Sequence, residues 1–178
     1  LSIIATANKP TSGQILIEGR ALPKVERSYR RRLAYVPQEN TLYPSLTGWD
    51  NLIFWGAMYG MNKKELKSRM ETVIHVIGLK DRIRDRVQTY SGGMKKRLSL
   101  GIGLIHHPEM LILDEPTAGV DASSRGMIMQ TLKTLAQEGH TILLTSHHQE
   151  EQDACDRKMF LQKGSLVFQA SEEIEKGM

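Results

Sequence analysis

Two neighbouring carboxylates, Asp114 and Glu115, follow directly on an unbroken apolar run, Met110-Leu111-Ile112-Leu113. A run of that kind reads as a strand buried on both faces of a parallel sheet. Successive strand residues point to opposite sides, yet at the carboxyl end of a parallel strand both can reach the ligand crevice. An acidic pair placed there can divide the work: one carboxylate organises Mg2+ and its neighbour polarises a water. Earlier in the chain, Ser91-Gly92-Gly93 can open a helix with bare backbone N–H groups. The glycines let the backbone approach a phosphate closely, and Ser91 adds a hydroxyl. A helix N-terminus also presents about half a positive charge to an anion. Two glycines destabilise a first helical turn by roughly 1 kcal/mol each. With no packing reason evident, that cost favours a functional one. Together the two segments suit a nucleoside triphosphate held between two protein surfaces. Lys95, Lys96 and Arg97 follow, which fits an anionic neighbour or plain solvation.

These groups need elements to position them. Ser91 is placed to cap a helix reaching about His106, with Pro108 beyond it. Asp121 can cap a further helix carrying Ile128, Leu132 and Leu135, closed by Gly139, and Thr141–Thr145 reads as another buried strand. Nearer the start, Leu1–Ala7 reads as the last turns of a helix stopped by Asn8-Lys9-Pro10. Ile15–Ile17 reads as a short strand ending at Gly19, and Leu33–Val36 as a second strand broken by Pro37. The pattern turns helical from Thr47. Asn62, with Glu65 three positions on, resembles a capping box opening a helix whose apolar face holds Leu66, Met70, Val73, Ile74 and Ile77, with Gly78 as its stop. Lys158–Leu161 and Leu166–Phe168, joined around Lys163-Gly164, read as a terminal hairpin. Gly101 and Gly103 fall in mid-helix, where alanine would pack better, and the sequence gives no reason for them. The expected architecture is one α/β domain over 1–178, with a mostly parallel sheet, a helical insertion over 41–106 and a C-terminal hairpin.

With Pro116-Thr117 attached, the segment Met110–Thr117 is similar to the acidic strand of the ATP-binding subunits of ABC transporters. Four further motifs resemble that family. Tyr90-Ser91-Gly92-Gly93-Met94 looks like its signature, and Gln38 after Val36-Pro37 its glutamine loop. His147, ending Leu143-Leu144-Thr145-Ser146-His147, looks like its switch histidine, and Ala118-Gly119-Val120-Asp121 the loop that crosses its dimer interface. All five stand in the family order. In finer detail, Tyr43-Pro44-Ser45-Leu46-Thr47 and Tyr90–Leu100 are similar to ATPase subunits of ABC-2-type exporters.

The resemblance implies a P-loop NTPase-type core and an ATPase whose two copies, or two homologues, sandwich ATP head to tail. It implies that Glu115 is the catalytic base, that Asp114 and Gln38 support Mg2+, and that His147 hydrogen-bonds the γ-phosphate. It further implies that Ser91, Gly92 and Gly93 contact ATP bound to the opposite subunit. Asp121 is a helix cap, or touches the partner site as well. Integral membrane permease subunits are the implied partners, with Phe54, Trp55 and Tyr59 as candidate contacts or as core, and a peripheral place on the cytoplasmic face of the membrane follows. Two rival readings share these motifs: a soluble ABC-type ATPase of repair or translation, and a truncated partner that donates only its signature surface.

A phosphate-binding loop should read Gly-x-x-x-x-Gly-Lys-Ser/Thr. No Gly-Lys dipeptide occurs among the 178 residues, and Leu1–Thr6 resembles the helix that follows such a loop. The chain is therefore expected to lack the loop, the first core strand and the aromatic that stacks on adenine, and to be inactive alone. Composition adds bounds. Hydrophobic residues at 40% and charged residues at 25% are ordinary for a soluble globular domain. Leu52–Met61, the longest apolar stretch, is too short to span a bilayer. A single cysteine, Cys155, excludes an internal disulfide and fits a reducing cytosol. Net charge is only +4, and Arg27, Arg30, Arg31 and Arg32 read as a solvated helix face, so no nucleic-acid function is taken from them.

Overall fold

Three parallel strands carry the site: β3 (Leu33–Val36), β4 (Met110–Asp114) and β5 (Thr141–Thr145), in the order β3-β4-β5. The computed structural model describes residues 1–39 and 41–167, and over 23–27 the backbone alone. Val36 pairs with Leu113, and Asp114 with Thr145, so the carboxyl ends of all three strands finish level. β4 is central because both of its faces are apolar. Leu111 and Leu113 join the larger core cluster, while Ile112 joins a second cluster with Ala5, Leu22, Tyr29 and Leu33. β5 departs from the expectation of a buried strand: Thr141 is exposed and the next four residues are half-buried. It pairs with β4 on one side, and no described residue pairs with its other edge.

The link from β3 to β4 holds three helices, α2 (Gly48–Met58), α3 (Lys63–Val76) and α4 (Gly92–Leu104). Each begins at a side-chain cap: Thr47 accepts from the Asp50 N–H, Asn62 from the Glu65 N–H, and Ser91 from the Met94 N–H. The entry and exit of this segment are tied together. Asn51, fully buried, holds the chain entering α2 through bonds to both main-chain groups of Tyr43 and to the Thr47 carbonyl. Backbone bonds from Gly48 to Asp85 and from Trp49 to Ile83 join that entry to the stretch leaving α3. α3 and α4 then exchange arginines. Arg69 donates to the carbonyls of Leu104 and Ile105, and Arg97 to those of Ile77 and Gly78, so each helix end has its free acceptors met by the other.

The mid-helix glycines of α4 now have a reason. A Cβ at Gly101 would come within 2.8 Å of Ile77 Cδ1 and 3.1 Å of Val73 Cγ1, and one at Gly103 within 3.0 Å of Val36 Cγ2. Their absence lets α4 lie close on α3 and on β3. α5 (Ala122–Gln137), capped by Asp121, leads from β4 into β5.

Other differences lie at the start of the chain. Leu1–Ala7 forms a turn, not a helix. Backbone bonds from Ala5 to Leu1, Thr6 to Ile3 and Ala7 to Ser2 close it, and Thr6 at φ 59° leaves the helical region. β1 (Leu16–Ile17) does not stand alone but forms a hairpin with β2 (Arg20–Ala21), turning at Glu18 and Gly19. α1 (Leu22–Arg32) follows directly. The basic run ends that helix with exposed side chains that are nonetheless engaged: Arg32 pairs with Glu18 and Glu109, and Arg30 with Thr6. The Arg27 side chain lies outside the described residues.

By its contacts the chain divides into two compact units, Leu1–Thr145 and Ser146–Met178. The second contains the short helix α6 (Gln149–Asp153) and a hairpin of β6 (Phe160–Gln162) with β7 (Ser165–Val167). Lys163 and Gly164, both at positive φ, make its turn as expected. Phe168 lies outside the described residues.

Candidate functional site

The acidic pair leaves β4 through an unusual backbone. Glu115 sits at φ 46°, a region that side chains other than glycine seldom occupy and that clusters at functional sites. Thr145, level with Asp114 on β5, stabilises the turn. Its hydroxyl donates to Asp114 Oδ1 at 2.7 Å and accepts from the Glu115 N–H at 3.0 Å. Tyr35 lies within the field of Asp114; burial, and then the Asp114 charge, push the pKa of its phenol up. Gln38 lies in the loop just after β3, where Pro37 ends the strand. Its amide Nε2 donates to Glu115 Oε2 at 2.8 Å. Three of the expected residues, Gln38, Asp114 and Glu115, thus meet at one place although the first is 77 positions from the last.

A residue the sequence reading left undecided stands among them. Lys96 is buried on α4, and its Nζ donates to the Gln38 carbonyl at 2.6 Å and reaches the Glu115 carbonyl at 3.5 Å. Burial lowers its pKa, while the charges of Glu115 and Asp114 act the other way. Neither Lys96 nor Arg97 is simply solvated. Only the approach of α4 to two distant loops buries the lysine, so no local sequence signal could have found it.

A second cluster forms at the start of α4. Ser91 caps the helix with Oγ 3.2 Å from the Met94 N–H. Asp121 caps α5, accepting from the Ser124 N–H at 2.9 Å and from its hydroxyl at 2.7 Å; these bonds hold its carboxyl below the usual range. The two caps adjoin. A Cβ at Gly93 would lie 2.0 Å from Ser124 Oγ and 3.6 Å from Asp121 Oδ2. Gly93 therefore has the packing reason that the sequence did not reveal. Gly92 does not, since its Cβ would meet only the Gly119 carbonyl at 3.6 Å, an ordinary contact. His147 stands two residues beyond β5, in the second unit, where the Ser146 side chain accepts from the His148 N–H.

Beside the Gln38 loop lies a cavity of about 160 Å3 whose walls include Pro37, Glu39, Trp55, Tyr59, Ser99 and Ile102. The indole Nε1 of Trp55 is buried with no hydrogen-bond partner. Phe54 and Trp55 are half-buried and stack edgewise on each other, while Tyr59 is more exposed and lies flat on His106.

A parallel strand that ends in an acidic pair, next to a glutamine loop and a glycine-opened helix, defines a nucleotide-handling α/β fold. Comparison with known proteins sharpens that class. Residues 1–118 match the family described as ABC transporter. The chain is 41% identical over 168 residues to the linearmycin resistance ATP-binding protein LnrL of Bacillus subtilis (strain 168), covering 94% of this chain and 54% of that protein. It is 36% identical to the Nod factor export ATP-binding protein I of Rhizobium etli (strain ATCC 51251), covering 89% of this chain and 50% of that one. A solved structure titled as the ATP-binding subunit of an ABC transporter superposes with a TM-score of 0.77 at 26% identity, over 94% of this chain and 71% of its own. The chain belongs to the ABC transporter family of ATP-binding proteins, with relatives of the exporter type. It spans about half the length of these two relatives. No helix among the described residues is long and apolar enough to cross a membrane.

Proposed function

We propose that the chain is part of the ATP-binding and ATP-hydrolysing subunit of an ABC exporter, in which closure of a subunit pair on ATP drives export. The observation that carries this reading is the 2.8 Å bond between Gln38 and Glu115, beside Asp114. Glu115 is the general base: its carboxylate, oriented by the Gln38 amide, takes a proton from the attacking water. Asp114 and the amide oxygen of Gln38 supply hard oxygen donors. Such a donor set fits Mg2+, which needs only one or two protein oxygens because it keeps water and takes the rest from phosphates. When bound with the nucleotide, Mg2+ neutralises phosphate charge. Thr145 keeps Asp114 oriented for it.

Ser91, Gly92 and Gly93 offer the α4 N-terminus to the triphosphate on a second subunit, with the Asp121 loop beside them. The partner is another copy or a homologue. His147 hydrogen-bonds the γ-phosphate. Residues 1–178 belong to one ATP-binding domain, with 41–106 as its helical insertion. The cavity beside Trp55 and Tyr59 receives an integral membrane permease subunit, which holds the protein at the cytoplasmic face. No nucleic acid takes part.

Phosphoryl transfer depends mostly on positioning and charge stabilisation. The 178 residues contain no Gly-Lys dipeptide to supply a phosphate cradle, so the chain by itself neither binds ATP tightly nor hydrolyses it. The test uses a protein of the relatives' full length that contains this chain. It should show magnesium-dependent ATP hydrolysis, and Glu115→Gln should lower turnover by about 10²–10⁴-fold with ATP binding kept. Full activity of Glu115→Gln, or steady turnover by the 178-residue chain, would overturn the reading.

A further inference from the structure

We propose that Lys96 is a positioning residue that latches the Gln38 loop to the end of β4 and ties both to the helix that opens with Ser91-Gly92-Gly93. The proposal rests on the roles given above to Gln38 and Glu115. Lysine is seldom buried, because its ammonium loses water that little else replaces. Here the burial ends at two main-chain carbonyls from the loops that follow two separate strands, those of Gln38 at 2.6 Å and Glu115 at 3.5 Å. The Gln38 side chain closes the figure by donating to Glu115 Oε2 at 2.8 Å. Lysine, glutamine and glutamate therefore form a triangle in which moving any corner disturbs the other two.

The identity of the side chain is informative. An unbranched apolar residue such as methionine could fill the same channel at lower desolvation cost, but it could not donate. The positive charge also lies within the field of Asp114 and Glu115. Glu115 needs holding: at φ 46° its backbone is in a conformation that persists only when its surroundings enforce it. Thr145 fixes its N–H and Lys96 draws on its carbonyl, so both ends of the residue are gripped.

Lys96 also stands in the same helix, α4, that Ser91 caps. A phosphate drawn onto the start of α4 would pull on the helix, and the helix carries the ammonium that sets the Gln38 loop. In this way occupation of one face of the subunit is felt at its own glutamate. Lys96 touches no reacting atom; it acts through Gln38 and Glu115.

Two measurements test the latch, each on wild type, Lys96→Met and Lys96→Arg. In the 178-residue chain, amide hydrogen exchange at Gln38, Glu39, Glu115 and Thr117 should accelerate at least about tenfold in Lys96→Met and recover in Lys96→Arg. Rates within about twofold of wild type at those amides would overturn the proposal. So would a general acceleration along α4 that arginine does not reverse, because that pattern marks a merely structural lysine. In a full-length protein containing this chain, Lys96→Met should lower kcat by about 10- to 100-fold, with KM for ATP within about threefold and recovery in Lys96→Arg. An unchanged kcat would overturn the proposal too. If wild type itself does not hydrolyse ATP, the proposed function fails, and the exchange measurement alone decides the latch. Should Lys96→Met not fold, Lys96→Gln replaces it, with the same outcomes read the same way.

Discussion

At the scale of single residues, the sharpest consequences come from atoms with no room or no partner. Gly93 packs on Ser124 so closely that an alanine methyl would overlap Ser124 Cβ, at 2.4 Å from its ideal position. Ser124 cannot swing that atom away, because it is fixed to the main chain of α5. Gly93→Ala should destabilise the protein by about 1–3 kcal/mol despite alanine's better helix propensity, and Gly93→Ala with Ser124→Gly should recover much of the loss. Thermal unfolding of the single and double variants checks this. His106 gives the complementary case. Its Nε2 bonds the Leu33 carbonyl at 3.0 Å and so carries the proton, which leaves Nδ1 bare, buried and without a partner. Burial, the largest cause, lowers its pKa, so the unfolded chain binds a proton here more readily than the folded one. Stability from this site is therefore full above the ordinary histidine range, near pH 6.5, and declines as pH falls through it. Melting temperature should drop between about pH 8 and 5 by more in wild type than in His106→Gln, and equal drops would refute the assignment.

At the scale of elements, the segment that enters α2 depends on one amide. Asn51 makes three bonds to main-chain groups while fully buried, and replacing it with leucine leaves those groups unmet. Asn51→Leu should cost about 1–3 kcal/mol in denaturant unfolding. The loss should fall on the approach of residues 43–48 to 83–87, read as faster amide exchange at Gly48 and Trp49. Elements also show what a sequence can and cannot disclose. Asn62, Ser91 and Asp121 were legible as caps because a cap acts within three residues of itself. β4 was legible because a strand buried on both faces needs apolar residues without alternation. Of α1 only the basic face near its end was legible; its start was not, since Ala21 before it offers no capping side chain and no acidic residue lies in its first turn. The glycines at 93, 101 and 103, and the buried lysine at 96, were equally opaque. Their meaning lies in Ser124, Ile77, Val36 and Gln38, which other elements bring to them. The family motifs were legible by type and order, and the contacts that hold those residues were not.

At the scale of the whole molecule, the proposed reading makes each of the two clusters half of a site. In it Gln38, Asp114 and Glu115 would provide chemistry without a phosphate cradle, while Ser91, Gly92 and Gly93 would provide a cradle without chemistry. On the proposed reading, a second subunit completes both. Full-length protein with Glu115→Gln should therefore gain mass corresponding to a pair when ATP and Mg2+ are added, and lose it when Gly92→Glu places a charge where the phosphate would lie. Analytical ultracentrifugation decides this. A larger matter follows from the 77 positions that separate Gln38 from Glu115. Pairing β3 with β4 requires closing the chain over all three intervening helices, and contacts between residues so far apart form late and slowly. Until they form, the run Met110–Leu113 lacks one of its two neighbouring strands, and it is apolar, uncharged and prone to stick to its like. The site thus comes into being only at the closing event that also covers this apolar stretch, and a nucleotide bound there would count as a mark of completed folding.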